Sequence, residues 1–309
     1  MKIFITGSNG FVGSHLKEYL QKNYASYNIF APSSKELDLT NEKAVDDYIL
    51  SNKIDLIIHL ANRGGGRDAA DMKNVMEYNL QIFFNIAKHE KNVKKIISFG
   101  SGAEYGKHKP IVCAKEEDYL LEQPYDEYGF YKSVASKYIN KSDNMVQLRI
   151  FGAYGEHENY KFKFISNAIV KNLLHLPIVI NQNVYFDYIY IDDLIKMIDW
   201  FIHNDSKEKI YNVSTGKKID LISLANLVNE TSEFKSEIVV LNDGLNNEYT
   251  SNNEKILKEI GTFHFTSHKD AISKMRDHFR YNLKNLDKET IINDPYLKKI
   301  DGMWKKENS

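Results

Sequence analysis

The sequence predicts an α/β fold, a doubly wound parallel sheet with a smaller C-terminal lobe. Three observations carry that prediction. Short β-branched runs alternate with longer helical patterns through the first half, which argues for a parallel sheet covered on both faces. The stretch DLIIHLA is apolar without interruption, as a strand buried on both sides must be. A glycine-rich turn, TGSNGFVG, follows the first strand directly. In order, strands are expected at 2–6, 27–31, 54–60, 95–100 and 145–150, and helices near 11–23, 41–51, 71–91 and 126–141. The second half is less regular. It has a strand at 185–191 with alternating YFDYIY, a helix at 192–203, and strands at 210–214 and 237–241. After about 284 the chain is polar, with Pro295 and Trp304 as isolated anchors.

Composition excludes several classes. The 309 residues carry 41 basic and 42 acidic side chains, so a net charge of −1 offers no electrostatic handle for nucleic acid or a membrane surface. No stretch approaches the ~20 apolar residues that span a bilayer. The start, MKIFITGSNG, is too short and polar for a signal peptide, and the single Cys113 suits a reducing compartment, so a cytoplasmic protein is expected. His264 and His268 stand four apart, but no cysteine or acidic cluster accompanies them, and no metal site is assigned.

The glycine turn reads as dinucleotide binding in a Rossmann-type arrangement. Gly7 permits the tight turn, Gly10 lets backbone approach a pyrophosphate, and Gly13 lets helix pack on strand. Phosphates would then lie at a helix N-terminus. The spacing is GxxGxxG, so its position between strand and helix carries the argument. Residues 1–150 form the dinucleotide-binding part, with a return segment near 184–203, and 151–309 form mainly a substrate lobe and tail. At the end of the second strand, Ser33, Ser34 and Lys35 stand where a carboxylate would hold the ribose of NAD, and the first carboxylate is Glu36. Hydroxyls and an ammonium accept a 2′-phosphate, which favours NADP(H) over NAD(H).

In PYDEYGFYK only Tyr128 stands four residues before Lys132, on one helix face; Tyr131 is adjacent and Tyr125 two turns back. An ammonium beside a phenol favours tyrosinate and makes a usable acid/base. Taken alone, the pair is more often a surface tyrosine covering a lysine stem.

The motifs together resemble the extended short-chain dehydrogenase/reductase family of nucleotide-sugar epimerases, dehydratases and reductases, from residue 1 to about 280. TGSNGFVG is similar to its cofactor loop, which places Gly7, Asn9, Gly10, Phe11, Val12 and Gly13 against the dinucleotide. Asp38 and Leu39 resemble the adenine contact, Leu60 and Ala61 the strand end beside the cofactor, Asn79 a supporting helix asparagine, and LRIFGAYG, with Phe151, a later segment. SFGSGAEYG supplies Ser101, and YGFYK supplies Tyr128 and Lys132. The resemblance implies that Tyr128 exchanges the hydroxyl proton while hydride passes between nicotinamide and a sugar carbon. Lys132 then lowers the tyrosine pKa and binds the nicotinamide ribose, and Ser101 orients the substrate oxygen. It also implies a nucleotide-linked sugar substrate and a homodimer through two helices of the first part.

Departures from the pattern narrow the chemistry. Gly102 and Ala103 follow Ser101 where family dehydratases carry Asp-Glu and some epimerase-reductases a cysteine. Hydride chemistry alone remains: a reductase of a 4-keto nucleotide sugar in surface-polysaccharide synthesis, or a 4-epimerase with tightly bound NAD. A regulator that binds dinucleotide without turnover is the alternative of another class. Phe186 stands where an arginine usually grips the substrate diphosphate, and Gly152 where an asparagine often meets the sugar. Lys161 and Lys163 are the candidate phosphate ligands in its stead, with Ser101, Ala103 and Phe186 lining the substrate site. The glycines of GGGRDAAD suggest a mobile loop over the cofactor.

Overall fold

The computed structural model describes residues 1–66, 69 and 72–294. The first half runs β1 (Lys2–Thr6), α1 (Phe11–Asn23), β2 (Asn28–Phe30), α2 (Glu42–Asn52), β3 (Leu56–His59), α3 (Val75–Ala87), β4 (Lys95–Ser101), β5 (Ile111–Ala114), α4 (Glu127–Ile139), β6 (Met145–Ile150) and β7 (Gly152–Tyr154). The second half adds α5 (Phe164–Leu173), β8 (Ile178–Asn183), β9 (Tyr185–Tyr190), α6 (Ile191–His203), β10 (Ile210–Val213), β11 (Lys218–Asp220), α7 (Leu221–Glu230), β12 (Ile238–Leu245), β13 (Tyr249–Ser251), α8 (Glu254–Ile260), α9 (His268–Tyr281) and α10 (Lys288–Ile292).

Six parallel strands form the main sheet in the order β10-β6-β4-β3-β1-β2. Side chains alternate between two cores, as the period of a strand requires. Ile3, Ile5, Leu56, Ile58, Ile97 and Leu148 face α1 and α6, whereas Phe4, Ile57, Ile96 and Met145 face α2, α3 and α4. The chain leaves β1 outward to β2 and returns on the other side as β3, so a crevice opens between the carboxyl ends of β1 and β3. Open parallel sheets bind ligands at such a switch point.

A second sheet, β11-β9-β13-β5 with β7 on β9, leans over those strand ends. The strand that returns to the main sheet is β10, at 210–213, pairing with β6. From the expected return segment, α6 covers the sheet while β9 pairs in the second sheet. α3 is shorter than the 71–91 pattern. Its N-terminus is held by Glu127, which accepts the N–H groups of Val75 and Met76 at 2.6 and 3.1 Å. The tail is not simply polar, because α10 buries Ile291 in the core. A five-residue helix is too short to show a period. His268 opens α9 and bonds the Tyr154 hydroxyl at 2.8 Å, while His264 lies outside the helix, so the two histidines share no helix face. Pro295, Trp304 and most of the RDAAD stretch lie outside the described residues.

Candidate active site

The turn after β1 has room for backbone only. Gly7 has φ +68°, and a Cβ on it would stand 2.7 Å from the Ala61 nitrogen. A Cβ on Gly13 would sit 2.2 Å from the Gly7 carbonyl oxygen. Gly10, the residue that caps α1, offers no side chain to the first-turn N–H groups, and no acidic residue occupies that turn. Exposed Asn9 and Gly10, half-buried Phe11 and Val12, and uncapped N–H groups at a positive helix end fit a dinucleotide pyrophosphate. Leu60 and Ala61 close the other wall, where the Ala61 N–H donates to Thr6 Oγ1 at 3.1 Å. Asn79 is fully buried and bonds the Arg63 backbone in both directions at 2.8 Å, holding the segment after β3.

At the adenosine side, Ser8 Oγ donates to the Ala31 carbonyl, tying the glycine turn to the segment of Ser33, Ser34 and Lys35. The Ser33 donors are engaged: its N–H and hydroxyl both bond Glu36 Oε2, at 2.7 and 2.8 Å. Asp38 accepts the N–H and hydroxyl of Thr40, which hold its pKa down, and the charge of Arg63 acts in the same direction. Leu39 packs against the apolar cluster under α2 and α3. Arg63 stacks on Tyr78 at 3.5 Å, a cation at this end of the crevice that lacks any sequence signature.

Ser101 ends β4 and caps the 3-10 turn Gly102–Tyr105, its Oγ accepting the Ala103 N–H at 3.2 Å. α4 starts at the Asp126 cap, which accepts the Gly129 N–H at 2.8 Å. The three tyrosines then part. Tyr125 is 79% exposed and stacks on His108, and Tyr131 is buried. Tyr128 brings its hydroxyl within hydrogen-bonding reach of Ser101. Gly65, at φ +84°, lies on the Tyr128 ring so closely that a Cβ would stand 2.5 Å from it. Lys132 Nζ lies 5.7 Å from the Tyr128 ring centre and donates to the Phe99 carbonyl.

The net shift of the Tyr128 pKa is upward, where a lowering by Lys132 was expected. Burial pushes Tyr128 up to about 12, against the pull of the Ser101 hydrogen bond. Burial also draws Lys132 down to about 8, partly opposed by Glu104. Burial disfavours the charged form of each group, and the ammonium is turned toward a carbonyl.

Glu104, which the sequence did not single out, underlies all three groups. Oε1 accepts the Ser101 N–H at 2.9 Å and Gln147 at 3.0 Å. Oε2 accepts Arg149 Nε at 2.6 Å and the hydroxyl of Ser136, one turn beyond Lys132. One buried carboxylate therefore joins β4, α4 and β6.

On the substrate side, Ala103 is 1% exposed, so its side chain meets the protein and cannot line an open site. Phe186 projects from β9 against Tyr188 and Tyr249, and Phe151 packs on Tyr105 and Tyr249 rather than standing open to a cofactor. Gly152 is small because a Cβ would press 2.8 Å from both the Asp187 carbonyl oxygen and the Tyr188 ring. Lys161 is paired with Asp287 at 2.7 Å, so that candidate anchor already has a counter-charge; Lys163 precedes α5.

A glycine cradle at a parallel-sheet switch point, with Ser101, Tyr128 and Lys132 beside it, defines the class as a dinucleotide-dependent oxidoreductase fold. The chain belongs to the NAD dependent epimerase/dehydratase family, whose model matches residues 3–214. It is 26% identical to GDP-L-colitose synthase of Yersinia pseudotuberculosis over 93% of this chain and 100% of that protein. It is 28% identical to ADP-L-glycero-D-manno-heptose-6-epimerase of Brachyspira hyodysenteriae over 84% and 90%. The fold is similar to that of MlghC, the GDP-mannoheptose C4 reductase from Campylobacter jejuni with NADP bound, with a TM-score of 0.77, 23% identity and coverage of 90% and 98%.

Proposed function

We propose that the protein reduces a 4-keto nucleotide sugar with NADPH, in the synthesis of surface-polysaccharide sugars. One observation carries this reading. The Ser101 and Tyr128 hydroxyls meet at the end of β4, and the next two residues, Gly102 and Ala103, bring neither carboxylate nor thiol. Such a site can move a hydroxyl proton but has no group there to take one from carbon. When bound, NADPH supplies the hydride. Tyr128, which keeps its proton at neutral pH, gives it to the carbonyl oxygen, and Ser101 holds that oxygen in place. Lys132, close beneath the tyrosine, stabilises the phenolate left behind. Ser33, Ser34 and Lys35 receive the 2′-phosphate once Glu36 moves aside, and Lys163 meets the substrate diphosphate. A cytoplasmic homodimer through α3 and α4 belongs to the same reading; Phe84, 41% exposed, and Tyr138 form an aromatic strip there.

The test is NADPH consumption with GDP- and UDP-linked 4-keto-6-deoxyhexoses. Stoichiometric oxidation with appearance of the 4-hydroxy sugar is expected. The bonds from Ser33 to Glu36 favour a second reading, a 4-epimerase with tightly bound NAD, because a carboxylate at that place suits ribose hydroxyls. NAD retained through purification, with sugar inversion and no net redox change, selects the epimerase.

A further inference from the structure

Tyr249, from the second sheet, reaches Ser101 from the side opposite α4. Its hydroxyl comes within hydrogen-bonding reach of the Ser101 side chain. The position is built for it. A Cβ on Gly102 would stand 2.4 Å from the Tyr249 oxygen, so the phenol occupies the space that the glycine leaves. Its ring is held by Phe151 and Phe186, with centroids at 5.0 and 5.8 Å. Its strand is pinned on both sides, with Tyr249 opposite Ile111 of β5 and Phe186 of β9. The next residue, Thr250, accepts the Cys113 N–H at 2.9 Å.

A serine hydroxyl has two acceptor sites and one proton. The Ala103 N–H fills one acceptor site at 3.2 Å. Burial keeps the Tyr249 phenol protonated and so able to donate, and the Ser101 oxygen beside it has one acceptor site left. A Tyr249 hydroxyl turned to Ser101 fills that second site and leaves the serine proton one direction, toward Tyr128 and the oxygen that Tyr128 serves. We propose that Tyr249 is a positioning residue that aims the Ser101 proton at the reacting oxygen. This rests on the reductase or epimerase reading of Ser101 and Tyr128, and assigns no proton transfer to Tyr249 itself.

Two measurements test it. With NADPH and a GDP-linked 4-keto-6-deoxyhexose, Tyr249→Phe lowers kcat about tenfold, with KM and melting temperature close to wild type. Ser101→Ala lowers kcat further, and the double variant is no slower than Ser101→Ala alone, because both act through one proton. Losses that multiply, or a Tyr249→Phe kcat equal to wild type, overturn the proposal. Ser101→Ala at full speed overturns the catalytic reading beneath it, and is recognisable as a separate failure. A neutron structure of the free protein needs no substrate: deuterium on the Tyr249 oxygen pointing to Ser101 Oγ supports the proposal, and any other direction overturns it.

Discussion

Glu104 and Arg149 form an ion pair at 2.6 Å with neither side chain exposed to solvent. The pair is strong because nothing is left unsatisfied around it. Arg149 also donates to the Tyr105 hydroxyl at 2.9 Å and to the Glu116 carbonyl at 2.6 Å. Removing one charge strands the other in the core, which costs about 3–5 kcal/mol. Glu104→Gln is therefore expected to lower the unfolding free energy in urea by that amount. Loss of under about 1 kcal/mol would show the pair to be energetically idle.

Tyr128→Phe removes the acidic proton and keeps the ring under Gly65. Turnover is expected to fall about 10²–10⁴-fold. Fluorescence titration with NADPH should give a Kd within about twofold of wild type, since the cradle at Gly7, Gly10 and Gly13 is untouched.

Lys132 predicts a pH limb. Its ammonium form is present below about 8 and is lost above it. Initial rates at saturating NADPH should decline as pH rises through that value, while Tyr128, at about 12, stays protonated. Stability moves the other way. Between about 8 and the ordinary lysine value of 10.5 the unfolded chain binds the proton and the folded chain does not. The unfolding free energy therefore rises with pH across that window. Lys132→Met should flatten both trends.

Glu158 is buried beside Ser166, which donates to it, and burial raises its pKa to about 7. The folded chain holds this proton between the ordinary value of 4.5 and about 7, while the unfolded chain has released it. Glu158 therefore contributes stability below that window and loses it as pH rises to about 7. Glu158→Gln is expected to match wild type near pH 4.5. Near pH 8 it should be more stable, by about 3 kcal/mol in urea unfolding. Equal stabilities at the higher pH would contradict the assignment.

What the sequence by itself determined is whatever depends on neighbours in the chain. The strand and helix periods of the first half, the GxxGxxG turn and the four-residue step from Tyr128 to Lys132 are all local, and the elements formed close to where those patterns place them. Tertiary structure alone decided which distant groups meet. Glu104 finds Arg149 on another strand, Tyr249 reaches Ser101 from the second sheet, and Lys161 turns to Asp287. It also decided the ionisation of the central pair, because burial outweighs the attraction that spacing suggests. A local pattern records which face a side chain takes; desolvation and partner charge depend on how the faces are stacked, and no short stretch of residues contains that.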